Sequence, residues 1–229
     1  MAKFSSNNIL NRLPAREFDL IKDDLIAVNL PLRKSLGDAG EVIQAVYFID
    51  SGFASIVDEI VPGREVEIGI IGHEGMSGLG VLFGQKRASH ETYMQLRGTG
   101  HQLSAAKLRR AIDRSTALHR CLLQYAYAFL HQTAHTASSN AQSSLEERLA
   151  RWLLMAHDRV DGDEVVLTHE FLSIMLGVRR AGITASLNLL SRKGLIDHRR
   201  STVVIIDRGG LMKRANGAYG APEIAIMAA

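Results

Sequence analysis

Arg179 and Arg180 stand side by side, and the next polar side chains of note, Thr184 and Asn188, follow at steps of four. On a helix that spacing gathers them on one face. Their types suit one kind of chemistry: an arginine fork donates two hydrogen bonds to a guanine edge or a phosphate, and a carboxamide both donates and accepts. A second basic couplet, Arg199-Arg200, lies between two β-prone runs. Groups for covalent or redox work are scarce. Cys121 is the single cysteine, too few for an internal disulfide, a Cys-ligated iron-sulfur cluster or a structural zinc. His131 and His135 are four apart, a spacing that can place both on one metal, yet no third ligand accompanies them. No His-x-His, His-Glu-x-x-His, nucleophile elbow or phosphate-cradling Lys loop is present.

The charge distribution agrees with this inventory. The chain of 229 residues has a net charge of +3, but Thr168 to Arg214 holds nine basic residues against Glu170, Asp197 and Asp207, an excess of six, so the remainder is acidic. A basic segment joined to an acidic body suits a polyanionic partner. The length is comfortable for two domains, and 46% hydrophobic with 22% charged residues is ordinary for a globular protein. No apolar run approaches membrane-spanning length, and MAKFSSNNIL carries no signal-peptide pattern, so a cytoplasmic location with no membrane partner is expected.

The elements that must position these groups are visible as changes of period. Leu10, Leu13, Phe18, Ile21 and Leu25 suggest one or two short helices, with Pro14 near a helix start. From Val28 to about Leu103, short β-prone runs alternate with glycine turns, as in VYFIDSGFASIVDEIV and GREVEIGIIGHEGM, and predict a small antiparallel β-roll. A long segment from Ser115 to Asn140 has no Pro or Gly, and Leu118, Leu122, Tyr125 and Phe129 recur at steps of four, three and four. That spacing predicts a seam meeting a partner helix in a homodimer, the alternative being that the face packs on the β-roll. SLEERLARWLLMAHDRV then forms another helix capped by Ser143 or Ser144. The final GAYGAPEIAIMAA is unpatterned and expected to be loosely ordered.

Within LTHEFLSIMLGVRRAGITASLNLLSRKGLI, Thr168 is placed to cap a helix that buries Phe171, Leu172, Met175 and Leu176. Gly177 supplies the left-handed conformation that ends it, and a second helix buries Ile183, Leu187 and Leu190. Arg179, Arg180, Ala181, Thr184, Ala185 and Asn188 are left outside. Two helices joined by a short turn, the second basic at its start, predict a helix-turn-helix, and the strands flanking Arg200-Ser201 read as a wing whose Arg199 and Arg200 sit near phosphates. Gly182 inside the second helix suggests close approach to the DNA backbone.

Taken together, GDAGEVIQAVYFIDSGFASI, GREVEIGIIGHEGM and LTHEFLSIMLGVRRAGITASLNLLSRKGLI resemble the CRP/FNR family of bacterial transcription regulators over roughly residues 10 to 214. The resemblance implies an α+β fold: an N-terminal jelly-roll sensor domain like the cyclic-nucleotide-binding fold over residues 1–114, a dimerisation helix and hinge over 115–140, and a winged helix-turn-helix over 141–229. It implies a non-enzymatic homodimer on palindromic double-stranded DNA, with RNA polymerase as a further partner. In nucleotide-binding members a Gly-Glu-Leu and an Arg-Ser-Ala segment hold ribose and phosphate. Here the first resembles His73-Glu74-Gly75-Met76 and the second Arg87-Ala88-Ser89, so Glu74, Arg87 and Ser89 are the candidate ligand residues, and a cyclic nucleotide is a possible effector whose binding motif is degenerate. At the reading helix, Arg180 matches the family's first base-contacting position, whereas Ala181 and Ala185 replace a glutamate and an arginine, which predicts a different operator. Two other classes fit the residues less well: a cupin-like metal enzyme, and a ligand-binding module whose basic tail serves another partner.

Overall fold

Short runs of Val, Ile, Phe and Tyr broken by glycine pair as strands because their side chains stack on a half-buried pleated surface. In the computed structural model, which describes residues 4–199 and 201–228, they follow two short helices, α1 (Asn8–Arg12) and α2 (Ala15–Phe18). The strands are β1 (Ile26–Leu30), β2 (Ser35–Gly37), β3 (Ala45–Ile49), β4 (Phe53–Val61), β5 (Arg64–Ile71), β6 (Glu91–Leu96) and β7 (Gly98–Ser104). They form one sheet in the order β1-β7-β3 and another in the order β2-β6-β4-β5, a jelly-roll type of β-roll. Strand β7 pairs antiparallel with both neighbours, Val28 opposite Gly100 and Phe48 opposite His101. The Pro62-Gly63 turn between β4 and β5 depends on a positive φ of 76° at Gly63.

The chain divides into two units: residues up to Ile56 with Ile70–His131 and the stretch from Ala225, and Val57–Gly69 with Gln132–Ile224. Helices α3 (Ala105–Arg114) and α4 (Thr116–Gln142) follow the β-roll, and the first half of α4 belongs to the first unit. Leu118, Leu122 and Tyr125 are buried there among Phe48, Met76, Leu103, Leu108 and Ile112, and Phe129 packs against the same cluster. This corrects the expectation that Leu118, Leu122 and Tyr125 meet a partner chain, while Phe129 is half-buried. The heptad-like spacing is real, but the chain's own core covers that face, and spacing alone does not say what covers a stripe. The exposed apolar residues of α4 lie elsewhere: Tyr127 is 73% and Leu130 63% exposed.

In the second unit, α5 (Leu145–His157) starts with a capping box, Ser144 Oγ accepting from the Glu147 amide while the Glu147 carboxylate accepts from the Ser144 amide. It buries Leu149, Trp152, Leu153 and Met155, and Trp152 Nε1 donates to Glu67 at 2.7 Å. Then come β8 (Glu164–Val166), α6 (His169–Met175), α7 (Arg180–Arg192), β9 (Ile196–Arg199), β10 (Thr202–Ile205) and α8 (Arg208–Arg214). The sheet order is β8-β10-β9. Strand β8, with Val165 fully buried, was not anticipated: three residues are too few to display a period.

The last stretch is not loose, which corrects the sequence expectation. It forms α9 (Ala221–Ala228), with Glu223 buried against Arg151 at 2.7 Å and also accepting from the Gly220 amide. A lone acid among small residues carries no signal until its partner is known.

Ser144→Ala should lower stability to thermal or urea unfolding by about 1 kcal/mol, the usual cost of an N-cap. Ser143→Ala should be close to neutral, since the Ser143 hydroxyl makes only a 3.5 Å contact with Ser139 Oγ among the described residues.

Candidate nucleic-acid interface

The reading head is built from its buried side outward. Thr168 caps α6, its Oγ accepting from the Phe171 amide at 3.2 Å. Phe171, Leu172 and Met175 point inward from α6, and Ile183, Leu187 and Leu190 inward from α7, all of them buried. The corner between the helices is Gly177 at a φ of +62°, which a side chain would strain, and the Gly177 and Val178 amides return to the Ile174 and Ser173 carbonyls. Gly182 has a reason other than the expected one. A Cβ there would meet Leu145 Cδ2 at 3.0 Å, so the glycine makes room for α5 behind the reading helix rather than for DNA in front of it.

On the outer surface, Arg179, Arg180, Ala181, Ala185 and Asn188 are exposed and Thr184 is half-buried. Arg179 and Arg180 make no ion pair among the described residues. This face offers two forked cations at the helix start, a hydroxyl and a carboxamide further along, and two methyl groups between them, which together can meet phosphates, hydrogen-bonding base edges and thymine methyls. The wing is β9 and β10, with Arg199 opposite Thr202. Arg199 is exposed, its Nε 3.8 Å from Asp197, while Arg200 lies outside the described residues. Thr184 Oγ and Asn188 Oδ1 each meet a histidine, His169 and His198 respectively, both at 3.1 Å. Neither histidine stands out in the sequence. Only the turn of α6 and the register of β9 bring them to this face.

The excess of positive charge is not all available to a partner. Arg208 pairs with Asp158 at 2.6 Å, while Lys193 and Arg214 both donate to Glu146 at the start of α5. These contacts join the ends of α7 and α8 to α5. Glu146 is held below the ordinary carboxylate range first by its hydrogen bond from Arg214, with Lys193 adding to it against the opposing effect of burial. Arg179, Arg180 and Arg199 remain facing outward, which sharpens the charge count into a patch.

The candidate ligand residues of the β-roll do not form such a face. Glu74 is fully buried and both carboxylate oxygens accept from the Gly72 amide, at 3.0 and 3.1 Å, closing their own loop. Arg87 is exposed and donates to the Gly40 carbonyl at 2.7 Å, and Ser89 is exposed. A ribose hydroxyl needs a carboxylate oxygen turned to open space, so this arrangement does not fit a cyclic nucleotide held by Glu74 and Arg87. His135 Nε2 donates to the Ala218 carbonyl at 2.9 Å, whereas His131 is exposed. No three His, Cys, Asp or Glu side chains gather as a metal site among the described residues, and among them no helix is long and apolar enough to cross a membrane.

A winged helix-turn-helix following a jelly-roll, with a cationic outer face on its second helix, defines a DNA-binding transcription regulator. Residues 147–214 match the family model of the Crp-like helix-turn-helix domain. The fold is that of solved regulators of this group. A transcriptional regulator of the crp/fnr family from Eubacterium rectale is 18% identical, with a TM-score of 0.72, covering 92% of this chain and 98% of that one. A CRP-family regulator from Thermus thermophilus is 20% identical with a TM-score of 0.70, covering 85% of this chain and 99% of that one. The c-di-GMP responsive global regulator CLP of Xanthomonas campestris is 20% identical with a TM-score of 0.68, covering 91% and 100%. A search of curated protein sequences finds no match. A cupin-like enzyme is not favoured by any of this.

The Glu146 link has a pH signature. A carboxylate depressed in the folded state contributes stability that is complete above the ordinary glutamate range and is lost as pH falls through its depressed value. Glu146→Gln should therefore lower stability at neutral pH and flatten the acid limb of a stability curve measured by urea unfolding; an unchanged acid limb would refute the assignment.

Proposed function

We propose that the chain works as a homodimer that presents two copies of α7 to successive major-groove faces of a palindromic DNA site. The outward-facing arginines at the start of α7, which make no ion pair among the described residues, carry this reading. Arg180 addresses a base edge, with Arg179, Ala181, Thr184, Ala185 and Asn188 completing the reading surface. Arg199 of the wing and Arg200, its neighbour in the sequence, neutralise phosphates. The chain does no catalysis in this reading; its output is occupancy of a site, with RNA polymerase as the downstream partner and the cytoplasm as its place.

Dimerisation uses the face of α4 that the core leaves uncovered. Tyr127, Leu130, Ala134, Ala137 and Ala141 recur at steps of three and four along that helix, and the alanines allow two helices to approach closely. This seam replaces the buried one. Two reading helices then stand about 34 Å apart, one turn of B-form DNA. The β-roll acts as the sensor domain. Its effector is not Glu74-bound cyclic nucleotide, and any ligand acts only by binding the DNA-competent dimer better than the other state.

Enrichment of random duplexes on the purified protein tests the reading directly. A two-fold symmetric site should emerge. Arg180→Ala should weaken binding to it by about 1 to 3 kcal/mol and relax the preference at one base pair per half-site. Arg199→Ala should instead weaken all duplexes alike and make the salt dependence shallower by about 0.9 log units for each phosphate it no longer neutralises. Retention of both affinity and preference in Arg180→Ala would overturn the assignment. For the seam, Tyr127→Glu combined with Leu130→Glu should give a folded monomer by analytical ultracentrifugation, whereas Leu118→Glu should unfold the first unit. A double variant that stays dimeric rules the seam out.

A further inference from the structure

Two histidines outside the reading helix take hold of its two hydrogen-bonding side chains. Thr184 Oγ donates its only proton to the Arg180 carbonyl at 3.2 Å, so it must accept the proton on His169 Nδ1, 3.1 Å away. That assigns the Nδ1–H tautomer to His169 and leaves Nε2 a bare acceptor, buried and without a hydrogen-bond partner among the described residues. Burial, then His198 and Arg180, hold the His169 imidazole below its ordinary range, in keeping with a neutral ring. On the wing side, His198 Nε2 lies 3.1 Å from Asn188 Oδ1, which can only accept, so His198 is the donor. The two rings lie against each other, centroids 5.6 Å apart, and form one layer between α6, α7 and β9.

This layer bears on base reading. An exposed carboxamide turned by half a revolution exchanges its donor and acceptor ends, so a free asparagine serves acceptor-rich and donor-bearing base edges almost alike. A histidine proton on Oδ1 removes that freedom. It directs the oxygen to the wing and the amino group, with its two hydrogens, outward to where a purine N7 or a guanine O6 would lie.

We propose that His198 is a specificity-determining positioning residue of the DNA interface, fixing the carboxamide of Asn188 so that it presents donors, while His169 fixes the hydroxyl of Thr184 in the same way. This rests on α7 being the recognition helix. Asn188 then favours an acceptor-bearing edge and disfavours cytosine, whose exposed major-groove group at that point is a donor.

The full-length dimer is assayed by fluorescence anisotropy on the enriched duplex and its single-base variants. Asn188→Ala should flatten the preference at one base pair per half-site. His198→Ala should flatten the same base pair by about five- to tenfold, within the range of one side chain-to-base contact, and leave the others unchanged. His198→Gln, which keeps a donor, should restore most of the preference, and adding His198→Ala to Asn188→Ala should change nothing more. Should His198→Ala fail to fold, His198→Phe keeps the ring's bulk without its donor and carries the same expectation. If Asn188→Ala flattens that base pair while the His198 variants weaken every duplex equally or change nothing, the proposal falls and the recognition helix stands. If neither Asn188→Ala nor Arg180→Ala alters any base preference, both fall together.

Discussion

Two short helices can hold a reading face steady only if the seam behind them is dry and the corner between them admits one angle. Phe171, Leu172 and Met175 from one side and Ile183, Leu187 and Leu190 from the other supply the dry seam. Gly177 supplies the corner, with a backbone that a residue bearing a Cβ adopts only with strain. Helix α5 then closes the back, and the absent side chain at Gly182 lets Leu145 come within contact distance. Each outward group on α7 inherits its place from these apolar contacts. Interior packing tolerates little displacement, so the backbone positions of Arg180 and Asn188 are set by the core beneath them.

Electrostatics refine this arrangement. Basic residues near a polyanion site serve two masters, attraction of the partner and integrity of the fold, and the structure sorts them. Lys193, Arg208 and Arg214 are committed to carboxylates of their own chain, whereas Arg179 and Arg180 are not. Carboxylate neighbours also shield the far side of the head, so the field toward a duplex comes from the front of α7 and the wing.

What could be read from the sequence follows from what a pattern can encode. The helix-turn-helix was legible down to its cap, corner and inward residues, because Thr168, Gly177 and the apolar steps each act locally. The β-roll was legible as a class from its glycine spacing. The face of α4 was not, because Leu118, Leu122 and Tyr125 repeat identically whether a partner or the chain's own sheet covers them. Gly182 misled for a similar reason: a missing side chain shows that something comes close, not which side it comes from. His169 and His198 depend on how α6 and the register of β9 set them against α7, and no local pattern announces such contacts. The α9 segment stayed hidden until Arg151, some seventy residues away, was seen to face Glu223.

That last pair constrains how the protein can change. Two ions withdrawn from water are tolerable together and costly apart, because the survivor keeps its desolvation penalty and loses its counter-charge. Substitutions at Arg151 and Glu223 are therefore coupled over evolutionary drift: either alone is deleterious, while a joint exchange for two fitted apolar side chains would be permitted. The same logic makes the tail an integral component of the folded body, and a shortened clone ending before Gly220 would strand a guanidinium inside the protein.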